Sequence, residues 1–208
     1  YASTSIEGNP LPLTEVKSIL KSKPENLRDS EKEILNYNQA LVMLNERINQ
    51  GSTAISVDLI LEIHALVTMG LLPAHETGRF RQKPVVVNDP RTGNVVYLPP
   101  DHDQVRRLVS DIVDYVNTNE RSVDPLILAG IFHKQMVIIH PFMDGNGRTT
   151  RLATKVLLAK MGLNTFNLFS FENYYNKNVN PYYQYVGERG DYNELAAKVD
   201  FSDWQEYF

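Results

Sequence analysis

His140-Pro141-Phe142-Met143-Asp144-Gly145-Asn146-Gly147-Arg148-Thr149-Thr150-Arg151 joins two runs of helical length. The run before it, Leu126 to Ile139, is apolar on nearly every side and reads as a buried central helix opened by an Asp124-Pro125 cap. The run after Gly147 reads as a second helix, Arg148 through Met161, stopped by Gly162. Asn-Gly and Asp-Gly pairs usually mark a hairpin, but neither flank alternates as a strand does. The stretch is therefore a helix-loop-helix turn, and the fold around it is expected to be mainly α. An EF-hand loop starting at Asp144 fails, because Lys155 stands where its bidentate glutamate is needed.

The same turn concentrates groups that handle phosphate. Glycine on both sides of Asn146 lets the loop take positive φ and bring its N–H groups against a ligand. The helix that follows aims free N–H groups and its positive dipole end into the same space. Gly145, Asn146 and Gly147 thus form an anion cradle. Arg148 and Arg151 share one face of the first turns, where two guanidinium forks can hold different phosphates. Asp144 would repel those phosphates unless it held a divalent cation between them, and Mg2+ takes few protein ligands. His140 is then the one group of near-neutral pKa beside a phosphoryl centre, placed to take a proton from an attacking hydroxyl. Phe142 is expected to point into the core.

In this order the residues resemble the signature of the Fic family, HxFx(D/E)GNGRxxR, with every fixed position matched. The resemblance implies a Fic-type helical domain with one β-hairpin flap. It also implies a nucleotidyltransferase, a protein adenylyltransferase that moves AMP from MgATP to a Tyr, Ser or Thr hydroxyl of a target protein while pyrophosphate leaves. By position it makes His140 the general base and Asp144 the Mg2+ ligand. Gly145, Asn146 and Gly147 line the anion hole, and Arg148 and Arg151 hold the β- and γ-phosphates. The family's kinases and phosphocholine transferases alter this loop or the nucleotide pocket. The intact Gly-Asn-Gly-Arg core favours AMP transfer.

Upstream, Ser3-Thr4-Ser5-Ile6-Glu7-Gly8 resembles the inhibitory motif of class II members, (S/T)xxxE(G/N). Composition alone reads residues 1–9 as a frayed terminus. The resemblance instead makes 1–22 an inhibitory segment in which Ser3 and Glu7 belong to a short helix and Glu7 pairs bidentately with Arg151. That pairing removes the fork meant for the γ-phosphate and adds a repelling charge, so ATP binds only in an unproductive pose.

Residues 84–100 break the helical pattern. Val85-Val86-Val87 and Val95-Val96-Tyr97-Leu98 flank a turn-rich linker, 88–94, and predict a hairpin. A lone hairpin has an open edge, and an open edge pairs with extended chain. By resemblance, Val95, Val96, Tyr97 and Leu98 register the hydroxyl-bearing stretch of the target. Just upstream, Gly78-Arg79-Phe80-Arg81 resembles the segment that precedes the flap in Fic domains, with Arg81 as a structural ion-pair partner. Asparagine and tyrosine crowd the chain after Gly162. The family's adenine pocket lies just after the signature helix, which nominates Tyr182 and Tyr183 as its flat wall.

Elsewhere the periodicity predicts helices over 14–22, from a Ser30-Glu31-Lys32-Glu33 capping box to Gly51, from Ser56 to Met69, from an Asp101 cap along Val105 to Val116, and over 202–208. His64 falls inside a predicted helix and reads as a packed or surface histidine, and His133, on the face of its helix that leads to His140, reads as a core group or one that supports the site. At 208 residues, with no repeat or linker, the chain is expected to be one domain, 1–208. Its 42% apolar and 22% charged content is that of an ordinary globule, and a net charge of −4 argues against nucleic acid as a partner. No 18-residue apolar run exists, so no membrane span is expected, and the absence of cysteine fits a cytoplasmic setting. The expected partners are a protein substrate at the flap, the chain itself through auto-modification, and a second copy in a homodimer. Two readings compete: a de-AMPylating phosphodiesterase that uses Glu7 to position water at the same site, and a non-catalytic nucleotide-binding interaction module.

Overall fold

Against the expectation from composition, Ala2–Ile6 is a helix, α1, with Ala2, Ser3, Thr4 and Ile6 buried. The computed structural model describes every residue except 23, 25, 52, 53, 90, 91, 164–169 and 196. α2 (Leu13–Ser22) turns Val16 and Ile19 onto Ile34 of α3 (Asp29–Asn49), forming with Leu11 an apolar cluster apart from the main core. α3 starts earlier than predicted. Arg28 is its cap, and the Arg28 N–H donates to the Glu31 carboxylate at 2.7 Å, so Ser30 lies inside the first turn. α4 (Val57–Val67) opens as predicted on Ser56, whose Oγ accepts from the Leu59 N–H at 3.1 Å.

The flap follows as β1 (Val87–Asn88) and β2 (Val95–Leu98), antiparallel, with Val87 opposite Tyr97 and Asn88 opposite Val95. The predicted turn residues Pro90 and Arg91 lie outside the described residues. α5 (Val105–Asn119) is capped at Gln104, three residues later than the predicted Asp101, and buries Val105, Val109, Ile112, Val113 and Val116 as one stripe. α6 (Pro125–Ile139) is capped by Asp124, whose Oδ1 accepts from the Leu126 N–H at 2.9 Å. The chain continues through α7 (Asn146–Lys160), α8 (Phe171–Lys177), α9 (Val179–Val186), β3 (Gly190–Asp191), α10 (Tyr192–Leu195) and α11 (Ser202–Tyr207).

α6 packs on α7, with α4 against α7 and α5 against α6. The expected burial of α6 holds from Leu128 to Ile139, whereas Leu126 and Ile127 in its first turn are about half exposed. α7 is buried along nearly its whole length although it carries Arg148, Arg151 and Lys155. Each cation meets a carboxylate: Glu33 at 2.9 Å, Glu7 at 2.6 Å and Glu172 at 3.0 Å. A charge enters a core only with such a partner. Behind α6, Trp204 of α11 is fully buried, and its Nε1–H donates to the Gly130 carbonyl at 2.8 Å.

The flap is not the lone hairpin expected. β3 joins it in the order β1-β2-β3, running parallel to β2 with Tyr97 opposite Gly190 and Leu98 opposite Asp191. The second edge of β2 is therefore covered at Tyr97 and Leu98, and β1 is an outer strand of the sheet. No helix among the described residues is long and apolar enough to cross a membrane.

Candidate active site

α6 ends at His140 in a left-handed conformation, φ 49° and ψ 61°, the one non-glycine residue with positive φ among those described. A side chain there costs about 1–2 kcal/mol, so the conformation has to be held from outside. Arg81 holds it. Its Nε donates to the His140 carbonyl at 2.8 Å, and its own N–H donates to the Pro141 carbonyl at 3.0 Å. The rest of the guanidinium donates to the carbonyls of Pro100 at 2.5 Å and Lys83 at 3.2 Å, which ties the turn to both ends of the flap. Arg81 was expected to be an ion-pair partner; its described hydrogen-bond partners are carbonyls. It is a clamp.

The loop closes on itself through Asn146. The Asn146 Oδ1 accepts from the Phe142 N–H at 2.9 Å, and its Nδ2 donates to the Phe142 carbonyl at 2.9 Å. The amide side chain is thus committed to holding the turn, and the α7 backbone N–H groups are what the loop offers to an anion. Gly145 has φ 76° as the sequence suggested, and a β-carbon there would meet Thr68 Cγ2 at 2.7 Å. Gly147 is helical, so its glycine answers a different need. A β-carbon on Gly147 would stand 2.1 Å from Glu7 Oε1 and 2.9 Å from Arg151 Nη1. A carboxylate oxygen already rests on the cradle.

Glu7 reaches that position from the end of α1. Arg151 Nη2 donates to Glu7 Oε1 at 2.6 Å and to the Ser3 carbonyl at 2.9 Å, while Arg151 Nε donates to Ser3 Oγ at 2.7 Å. The expected bidentate pair is therefore a shared one: one Glu7 oxygen and two Ser3 atoms fill the fork. Burial alone would lower the pKa of Arg151, but the charge of Glu7, helped by Tyr182 and Tyr37, holds it above its ordinary value.

A cavity of about 640 Å³ has Glu7, His140, Asn146, Gly147 and Arg151 on its walls. Val96 and Tyr97 border it from the flap, Tyr182 and Tyr183 from α9. Of the residues nominated for target docking, Val95 and Leu98 are exposed and Val96 is half-buried. Tyr97 is buried, its hydroxyl donating to the Ile138 carbonyl at 3.1 Å, so that side chain fixes the flap to α6. Of the two nominated tyrosines, Tyr182 is buried with its ring stacked on Tyr175 at 4.5 Å and its hydroxyl 3.4 Å from Arg151 Nη1. Tyr183 is half-buried and donates to the Ile6 carbonyl at 2.9 Å.

Burial lowers the His140 pKa to about 4, with Arg81 adding to the fall and Glu7 and Asp144 opposing it. The Val137 carbonyl also opposes it, yet the buried Nδ1 has no hydrogen bond of good geometry. The ring is neutral near pH 7, and with Nδ1 buried, Nε2 is the nitrogen left for a ligand. Asp144 extends an exposed carboxylate whose Oδ2 accepts from Arg148 Nη2 at 3.0 Å. Arg148 is itself buried, with Nη1 2.9 Å from Glu33 Oε1 at an angle that makes the contact an ion pair rather than a hydrogen bond. Arg148 and Asp144 thus pair with each other beside the cavity, while Arg151 lines it. A single exposed carboxylate fits Mg2+, which completes its shell with water and phosphate oxygens, and no cluster of three or more metal-ligating side chains occurs among the described residues.

Sequence reasoning passed over the residues that hold this geometry. Glu33 gave no signal beyond its place in a capping box. His133 read as packed, which it is: its Nδ1 lies 3.1 Å from Thr154 Oγ1 and its Nε2 3.1 Å from the Tyr182 hydroxyl. His64 read as packed or surface; it is packed, and it touches the loop directly.

Fold and site define a helical domain that offers an anion the start of one helix beneath an imidazole at the end of another. Residues 54–158 match the sequence profile described as the Fic/DOC family, and the chain belongs to that family. The protein adenylyltransferase Fic of Nematostella vectensis is 32% identical over 166 residues, which cover 78% of this chain and 37% of that protein. The protein adenylyltransferase fic-1 of Caenorhabditis elegans is 34% identical over 167 residues, covering 78% of this chain and 31% of that one. The chain therefore spans about a third of the length of these curated relatives. The crystal structure of a Fic family protein from Desulfovibrio desulfuricans G20 superposes with a TM-score of 0.79 at 26% identity, covering 99% of this chain and 58% of that one. Ser3 and Glu7 lie outside the matched residues.

Proposed function

We propose that the chain is a protein adenylyltransferase that moves AMP from MgATP to a Tyr, Ser or Thr hydroxyl of a target protein, and that Glu7 restrains it. One observation carries the reading: the His140 imidazole, the start of α7 and the Arg151 guanidinium face one cavity. The target oxygen attacks the α-phosphorus in line and its proton passes to His140 Nε2. The bond from the α-phosphorus to the bridging oxygen breaks, and pyrophosphate leaves. Backbone N–H groups at the start of α7 stabilise the charge on the α-phosphate oxygens. Arg151, once clear of Glu7, holds the γ-phosphate; Arg148 reaches a β-phosphate only by leaving Glu33. When bound at Asp144, Mg2+ supplies charge neutralisation to the phosphates. Tyr183, with Asn180 and Val186 near it on the cavity wall, offers the adenine ring an apolar face and an amide. The target lies extended along the flap, against Val95 and Leu98.

His140→Ala tests the base. It is expected to stop AMP transfer while ATP binding, followed by calorimetry, persists; transfer at a near-normal rate removes His140 from that role. A second reading has one observation in its favour. Glu7 lines the same cavity as His140, so it can orient water for release of AMP from a modified target. An assay that starts from modified target separates the two directions.

A further inference from the structure

His64 of α4 lies outside the catalytic loop and is fully buried. Its ring stacks on Phe142 with centroids 3.8 Å apart and planes within 5°. On one side the Gly78 N–H donates to His64 Nδ1 at 3.0 Å. A nitrogen that accepts carries no proton in a neutral ring, so the proton sits on Nε2. On the other side His64 Nε2 lies 3.0 Å from the Asp144 carbonyl, which can only accept. The two partners therefore fix one tautomer. One turn further along the chain, the Thr68 hydroxyl donates to the His64 carbonyl at 2.6 Å, and its Cγ2 fills the space a β-carbon on Gly145 would need. The end of α4 is thus shaped to residues 142–145.

We propose that His64 is a positioning residue for AMP transfer: through its Nε2–H on the Asp144 carbonyl and its ring on Phe142, it sets the loop so that the Asp144 carboxylate and the α7 N–H groups meet the phosphates together. The inference rests on the proposed transfer reaction, because it assigns Asp144 and the cradle their roles. His64 touches no substrate. It also joins the loop to Gly78, at the head of the segment that carries Arg81, so the two supports of the turn share one strut. A shift of about 1 Å in such a loop costs on the order of a hundredfold in rate.

The test uses the full chain in its Glu7→Gly form. Imidazole ¹⁵N spectra should show His64 as the Nε2–H tautomer. His133 serves as an internal contrast: Thr154 Oγ1 gives its proton to the Thr150 carbonyl at 2.8 Å and so accepts from Nδ1–H. His64→Phe keeps the stacked ring and loses both hydrogen bonds. It should lower kcat for transfer by about ten- to a hundredfold and raise the Mg2+ concentration needed for half-maximal rate, with a fall of several degrees in melting temperature from the two lost hydrogen bonds. His64→Gln, whose Nε2 can reach the Asp144 carbonyl, should recover most of the rate; His64→Asn, which can keep only the Gly78 bond, should not. If His64→Phe does not fold, the Gln and Asn pair and the tautomer carry the test. An Nδ1–H tautomer overturns the proposal. So does a folded His64→Phe with unaltered rate and Mg2+ requirement, or a Gln variant no better than Asn. If the Glu7→Gly form with His64 intact transfers no AMP, the transfer reading itself fails. Calorimetry then decides the positioning role: a loss of Mg2+-dependent ATP affinity in His64→Phe supports it, and no change overturns it.

Discussion

Glu7 Oε1 lies 2.6 Å from Arg151 Nη2 and within 2.1 Å of the point where a β-carbon on Gly147 would stand. One carboxylate thus takes part of the arginine fork, which it shares with Ser3, and also covers the face of the cradle. The arginine is wholly buried and the carboxylate 28% exposed, so the contact is little screened. A hydrogen bond of this charged kind contributes about 1.5–3 kcal/mol, which corresponds to about ten- to a hundredfold. Glu7→Gly is therefore expected to raise AMP incorporation by about that factor. Equal rates for the two forms would show that the contact does not govern the site.

On the proposed function, Tyr183 would join the restraint by Glu7 to the wall that takes the nucleotide. Its hydroxyl donates to the Ile6 carbonyl at 2.9 Å and so pins the last turn of α1. Tyr183→Phe keeps the ring and loses that bond, worth about 1 kcal/mol. The expected result is about a fivefold rise in basal transfer with the KM for ATP unchanged, read from initial rates across an ATP series.

The fold was legible where its residues obey a period. The α5 stripe, the Asp124-Pro125 start of α6 and the Ser56 cap of α4 all follow from spacing. The loop was legible because its identities are unusual together. What stayed hidden depends on contacts far apart in sequence. β3 is two residues long and gives no alternating pattern, so the covered edge of β2 could not be read. α7 hides its burial because Arg148, Arg151 and Lys155 enter the core only through carboxylates on other elements. For the same reason Arg148 looked like a free phosphate ligand. Its partner Glu33 lies on α3, and nothing local announces the pair.

Acid should destabilise the protein in a definite window. Burial holds His64 and His140 near pKa 4 and His133 near 3, against 6.5 for an exposed histidine. Between those limits the unfolded chain binds more protons than the folded one. Stability is then full above about pH 6.5 and falls as pH drops toward 4, by about 1.4 kcal/mol per pH unit for each histidine that titrates on unfolding. Burial alone would raise Glu172, but Lys155 holds it below the usual carboxylate value, so its contribution is lost only at still lower pH. Urea titrations at a series of pH values measure the slope. A flat profile between about pH 6.5 and 4.5 would contradict the histidine assignment.

On the proposed function, the flap would contact the target through residues that ATP does not use. Val95 is 55% exposed, whereas Tyr97 is fixed to α6. Val95→Asp is expected to raise the KM for a protein target several-fold and leave the KM for ATP alone. Proline at Val96 should act more strongly, because it removes a backbone donor from β2. Parallel loss of nucleotide binding would show that the flap shapes the cavity rather than the docking.

The most direct measurement incubates the Glu7→Gly form with MgATP labelled on either the α- or the γ-phosphate and follows label on protein. AMP transfer with His140 as the base predicts that α-label becomes covalently attached, that γ-label leaves as pyrophosphate, and that adding His140→Ala abolishes attachment. Retention of γ-label, or α-label attached equally well without His140, would contradict it.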